Sequence, residues 1–193
     1  MREDHPNALM IRNNMALVLD HQGRYKEALK ILEEVYRKQK GTLLLENSFT
    51  LSTKSNMAIV LDHQGKHQEA LEIFKEVYEK RKEILGQYNS NTLATRNRIA
   101  LALDHQGKYQ EALEILEEVY QKREEILDSD ALIILSSKAL VLSHQGKHQE
   151  ASEIFGEVYQ KRKEILGRSH PDTLRTRNHE AMELSSLKNI KKL

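Results

Sequence analysis

The chain has 193 residues, and its 30 Lys and Arg against 29 Asp and Glu give a formal net charge of +1, so no global field draws it to nucleic acid or an anionic membrane. It has no cysteine, which excludes disulfides, thiol nucleophiles and thiolate metal sites; a 31% charged fraction with two prolines and no tryptophan suits long amphipathic helices rather than all-β architecture. No apolar run approaches the roughly 18 to 20 residues that span a bilayer, and the opening "MREDHPN" lacks the apolar stretch of a secretion signal, so the chain reads as soluble and cytoplasmic.

From the amino end, the first predicted helix runs from about Leu9 to Gln22, with Met15, Ala16 and Leu19 at spacings of one, three and four. Gly23 ends it as the left-handed residue just past a helix terminus. A second helix follows at once, with Ala28, Ile31, Leu32 and Val35 as its buried stripe and "EEVYRKQK" as its polar face. The phrase "DHQG" then returns with its glycine at 65 and 107, and as "SHQG" with Gly146. Internal repetition at this period signals stacked units, each too small to bury its own stripe. The offsets predict repeats at about 5–46, 47–88, 89–127 and 128–169, and a capping helix within 170–193.

Small residues recur at fixed offsets: Ala58 and Ala100 before the glycine, and Ala70, Ala112 and Ala151 after it. They predict close antiparallel helix pairs. Two residues after the glycine the chain alternates Tyr25, His67, Tyr109, His148, while nine after it reads Leu32, Phe74, Leu116, Phe155. Seven residues apart on one face, the two positions exchange a large group in step, which implies duplication of a two-unit block. The connection "LDSDALIILSSK" is three residues shorter than its counterparts and predicts a different angle between the third and fourth repeats. In the last unit Glu180 takes an apolar position, Lys188 replaces the glycine, and Ser185 and Ser186 replace Asp-His. These changes predict a polar cap over about Thr173–Leu187, with "KNIKKL" frayed.

The phrases "HPNALMIRNNMALVLDHQGRYKEA" and "HPDTLRTRN", with similar text in every unit, resemble the tetratricopeptide repeat in the 42-residue form of kinesin light chains and nephrocystin-3-like proteins. That resemblance implies an all-α fold: a right-handed α-solenoid of antiparallel helix pairs, four repeats plus a C-terminal capping helix, whose first helices line a concave peptide-binding groove. It also implies a peptide-holding role for Asn13, Asn97 and Asn178.

The repeated histidines do not form one metal site. His21, His63, His105 and His144 would stand roughly 10 Å apart on stacked helices, whereas zinc ligands lie about 2 Å from the ion. Their expected role is to close the ends of the first helices, where a cation meets exposed carbonyls. No glycine-rich phosphate loop or nucleophile elbow is present, and the Glu-rich runs fall on solvated faces, so no catalytic residue, cofactor or enzymatic activity is expected. Helical RNA readers use a basic groove that this neutral chain lacks, so neither nucleic acid nor membrane is an expected partner.

The expected function is a non-catalytic protein-interaction scaffold holding an extended, acidic peptide. Its candidate groove residues are Asn13, Asn14, Leu17, Ser55, Asn56, Ile59, Arg96, Asn97, Arg98, Leu101, Ile133, Ser136, Leu140 and Asn178. Amides at ten and nine before the glycine can pair with a peptide backbone, or can satisfy the backbone of neighbouring helices instead. Arg12, Lys54, Arg96, Arg98, Lys138, Arg175 and Arg177 form a basic row toward the helix starts, which favours an acidic partner or simply faces water. Ile133, in "LIIL", either fills space left by the short connection or lines a pocket for one hydrophobic anchor. The alternatives are a structural or oligomerisation module, and a repeat segment of a larger sensor or cargo adaptor; the chain itself is expected to be a monomer or weak homo-oligomer.

Overall fold

A computed structural model describes residues 5–40, 48–125 and 130–190. Among them are nine helices and no strand: α1 (Pro6–His21), α2 (Tyr25–Lys40), α3 (Ser48–His63), α4 (His67–Leu85), α5 (Ser90–His105), α6 (Tyr109–Glu125), α7 (Ala131–His144), α8 (His148–Leu166) and α9 (Pro171–Ile190). The chain divides into two compact units at Ala102/Leu103. None of the described helices is long and apolar enough to cross a membrane. The short connection's residues 126–129, on which the expected change of angle rests, lie outside the described residues.

Each first helix ends as its glycine requires. Gly23 has φ 74°, its N–H donates to the Asp20 carbonyl at 2.9 Å, and the Arg24 N–H donates to the Leu19 carbonyl at 2.9 Å. This pair of bonds is the Schellman motif, and it satisfies carbonyls that the helix leaves open. It recurs after α3 and α7, where Gly65 and Gly146 have φ 80° and 82°. The starts also have a local cause. His5 Nδ1 accepts from the Asn7 N–H at 3.3 Å, and Pro6, which has no N–H to satisfy, opens α1 three residues before the expected Leu9. His170 Nδ1 caps α9 likewise, accepting from the Asp172 N–H at 3.2 Å.

In the first unit, Ala16, Ala28, Leu32 and Val60 form one core cluster, joining α1, α2 and α3. The crossing alanines Ala16, Ala28, Ala58 and Ala70 are fully buried, which is what lets the paired helices approach. In the second unit Ala139, Leu142, Ala151 and Phe155 play the same part between α7 and α8.

The last helix is longer than expected, running through Ile190 rather than stopping at Leu187, so Lys188 to Ile190 of the supposedly frayed tail are helical. Residues 191–193 lie outside the described set. Helix α9 packs on α8 with Thr173 and Thr176 buried, and its His179 ring stacks on Phe155 at 5.2 Å between centroids. Burial, and the nearby Arg175 charge, push the His179 imidazole below its ordinary pKa, partly opposed by Glu183. The folded chain therefore holds His179 neutral more firmly than the unfolded chain does. As pH falls through the unfolded value near 6.5 toward the lower folded one, the unfolded chain takes up the proton first and stability declines. Thermal melts between neutral and mildly acidic pH are expected to show this decline in the native chain and a smaller one in His179→Phe; equal slopes would contradict it.

Candidate functional site

On the first helices of the first unit, the open row lies one residue further along than the amide pattern indicated. Asn14 and Arg98 are exposed and Asn56 half-buried, whereas Asn13, Ser55 and Asn97 are 6, 7 and 7% exposed. One residue is a rotation of about 100° on a helix, enough to carry the neighbouring position into the seam between helices. Asn13 Oδ1 and Asn97 Oδ1 are buried with no hydrogen-bond partner among the described residues. Beside the open row runs a half-buried apolar one, Leu17, Ile59 and Leu101. Together the two rows make an amide-and-cation strip flanked by an aliphatic strip across α1, α3 and α5.

Arg98 sets the electrostatics of this face. Desolvation lowers its pKa, while the charges of Asp62 and Asp20 act in the opposite direction. Its guanidinium has no hydrogen-bond partner among the described residues. Most of the other basic residues are engaged. Arg12 pairs with Glu34 and Lys54 with Glu76, each joining a first helix to its own second helix. Lys138 pairs with Glu117. The hydrogen bond from Arg12 holds the Glu34 carboxyl below the usual carboxylate range. Arg96 donates to the Tyr78 hydroxyl at 2.8 Å and lies 5.4 Å from that ring's centroid. The expected basic row is thus largely a set of braces, within repeats at Arg12 and Lys54 and between repeats at Arg96 and Lys138, leaving Arg98 as the open cation of this strip.

The "DHQG" phrase joins neighbouring repeats. His63 Nδ1 donates to the buried Asp20 carboxylate at 2.9 Å, and His144 Nδ1 to Asp104 at 2.7 Å. In both cases the Asp of one repeat holds the His of the next. The expected role of closing a helix end is therefore incomplete: these side chains set the spacing between repeats. The alternating position after the glycine makes bonds of its own, within a repeat at His67 and to the last helix at His148. His67 Nδ1 reaches Asp62 at 2.7 Å, while His148, whose repeat has Ser143 in place of Asp, reaches Glu183 of α9 at 2.7 Å. Ser143 Oγ donates to the other Glu183 oxygen at 2.7 Å.

Residues 49–125 match one "Tetratricopeptide repeat" family description, and residues 8–43 and 132–172 match a second of the same description. The chain is a tetratricopeptide-repeat protein. Its repeats are of the kinesin-light-chain-like type. The TPR-like repeats of a protein assigned as a kinesin light chain in Podosopora anserina are 26% identical, with a TM-score of 0.73 over 100% of this chain and 92% of that one. BtubC (BKLC) from P. vanneervenii shares the fold at 18% identity, with a TM-score of 0.69 over 89% of this chain and 69% of that one. No curated protein matches the sequence. Tetratricopeptide repeats mediate protein–protein interaction.

In the second unit of this repeat protein, the candidate residues are more dispersed. Ile133 is 48% exposed, Ser136 and Leu140 are half-buried, and Asn178 is exposed. Ile133 lines an apolar cavity of about 330 Å³ with Leu132, Ile165, Leu166 and Arg162. The cavity lies beside the end of α8 and the start of α9.

One row escaped sequence reasoning altogether. Sixteen residues after each glycine stand Gln39, Arg81, Arg123 and Arg162, all buried. Arg81 Nη1 donates to Thr95 Oγ1 at 2.7 Å and to the Asn91 carbonyl at 3.2 Å, and its Nη2 donates to Ser52 Oγ at 3.1 Å. Arg162 makes the same contact with Thr176 Oγ1 at 2.6 Å. A charged run such as "EEVYQKREE" reads as solvated, yet its arginine is an internal bracket between repeats. The recurrence of a cation at one fixed offset was the available signal.

Proposed function

We propose that this protein is a non-catalytic scaffold that binds an extended peptide bearing acidic residues along the strip formed by Asn14, Asn56 and Arg98. The observation that carries this reading is the row itself: two amides and an unpaired guanidinium, one per first helix, beside Leu17, Ile59 and Leu101. Side-chain amides offer a donor and an acceptor to a peptide backbone at each step. Arg98 supplies the preference for a carboxylate, presented in fork geometry. The aliphatic strip accepts alternate side chains of an extended segment. Ile133, with its cavity, is a separate anchor position in the second unit.

A peptide array probed with the intact chain tests this. Binding sequences should be enriched in Asp and Glu, and Arg98→Glu should weaken the best of them by roughly tenfold or more, about 1.4 kcal/mol, with helical content unchanged. An array without acidic enrichment, or an Arg98→Glu chain that binds as before, would overturn the reading.

A further inference from the structure

The last helix keeps open a face that its predecessors close. Ahead of the glycine position, first helices carry leucine at fourteen, alanine at seven and leucine at four. In α3 these are Leu51, Ala58 and Leu61, all buried. In the first and fourth repeats this face meets the repeat's own second helix: Ala16 clusters with Ala28 and Leu32, and Ala139 and Leu142 with Ala151 and Phe155. Helix α9 retains the same series as Leu174, Ala181 and Leu184, but Leu174 is 44% and Leu184 46% exposed, and Ala181 is exposed too. The outward side of α9 is therefore not the polar cap expected from Glu180, Lys188 and the two serines.

Charge on this face is unmatched as well. Eleven before the glycine, Arg12 and Lys54 pair with Glu34 and Glu76, each the acid eleven after the glycine on the adjoining second helix. Arg177 occupies that position on α9, is exposed, and has no ion-pair partner among the described residues. Every second helix of the chain presents the complementary series: alanine, an apolar residue four later, and glutamate two after that, as in Ala28, Leu32, Glu34 and Ala70, Phe74, Glu76.

We propose that the face formed by Leu174, Arg177, Ala181 and Leu184 is a docking site for one amphipathic helix of a partner protein, carrying that alanine, apolar and glutamate series. The contact continues an interface that the fold already builds within its own repeats. A second folded copy has no such helix to give, because its crossing alanines Ala28, Ala70, Ala112 and Ala151 are fully buried. Close packing through Ala181 fixes where the partner crosses, and Arg177 selects the acid.

A labelled peptide with the sequence of residues 67–85 is the probe, titrated into the intact 193-residue chain with fluorescence anisotropy as the readout. Saturable one-to-one binding is expected, at least tenfold weaker in Ala181→Glu. Arg177→Glu should also weaken it, and a peptide with arginine in place of the glutamate corresponding to Glu76 should restore binding to that variant. Circular dichroism confirms that the variants remain helical. Absence of saturable binding, equal affinity for Ala181→Glu, loss caused instead by Ile11→Asp on α1, or a chain dimer that Ala181→Glu dissociates would each overturn the proposal.

Discussion

Replacing Arg81 with alanine is expected to lower the stability of the chain by about 3 kcal/mol, since hydrogen bonds to a charged group contribute about 1.5 to 3 kcal/mol each and a buried void is left behind. The side chain is 6% exposed and holds Ser52 of α3 together with Thr95 and the Asn91 carbonyl of α5. Burial lowers its pKa, which shows that the charge is held at a desolvation cost. All three acceptors keep other bonds when the guanidinium is gone: Thr95 Oγ1 donates to the Asn91 carbonyl, and Ser52 Oγ donates to the Ser48 carbonyl. For that reason the loss stays below the full cost of orphaning three groups. Arg81→Met, which refills much of the volume without a charge, should cost less, about 1 kcal/mol. Urea denaturation of the three chains decides it; a loss below about 1 kcal/mol in the alanine variant would mean that the bracket is not a principal tie between repeats.

Deleting the residues after Pro171 is expected to have the larger effect. Helix α9 covers α8, on which Phe155 and Val158 are almost fully buried, and supplies Thr176 to Arg162 and Glu183 to His148 and Ser143. Its removal uncovers the side of Phe155 on which His179 stacks, part of a side chain whose full burial is worth about 1.5 to 3 kcal/mol, and strips a buried cation of a partner. In a stack where each repeat is stabilised by its neighbour, the damage spreads inward. The truncated chain should aggregate, or melt at a clearly lower temperature by calorimetry. A truncation that remains monomeric with an unchanged melting temperature would contradict the role assigned to α9.

How far the sequence reached follows from the range of each interaction. The ends of the first helices were legible because their cause is local, a left-handed glycine within a few residues of what it controls; the starts at Pro6 and Pro171 were equally local but were missed, because only the apolar stripe was used to place them. Ala16, Ala28, Ala58 and Ala70 were legible because close crossing demands small residues at a repeated offset. The Asp20–His63 bond was not, because its partners are 43 residues apart and meet only once two repeats have stacked. Nor was the burial of Arg81, since a charged run at helical spacing is solvated in most helices and only tertiary packing makes the exception. Between Asn13 and Asn14 the period itself lacked resolution: two adjacent amides both satisfy a helical face, and only the packing of neighbouring helices decides which one is covered. The same limit applied to the basic row, where an offset shows that Arg12 and Lys54 share a face but not that Glu34 and Glu76 reach them.

Chemical-shift mapping of the isotopically labelled, intact chain with an acid-rich peptide selected from the array tests the central claim most directly. The account predicts that amide shifts concentrate at and around Asn14, Asn56 and Arg98, with Leu17, Ile59 and Leu101 following, and that they vanish in Arg98→Glu. Shifts centred on α2 and α4, with the Asn14–Asn56–Arg98 row undisturbed, would contradict it.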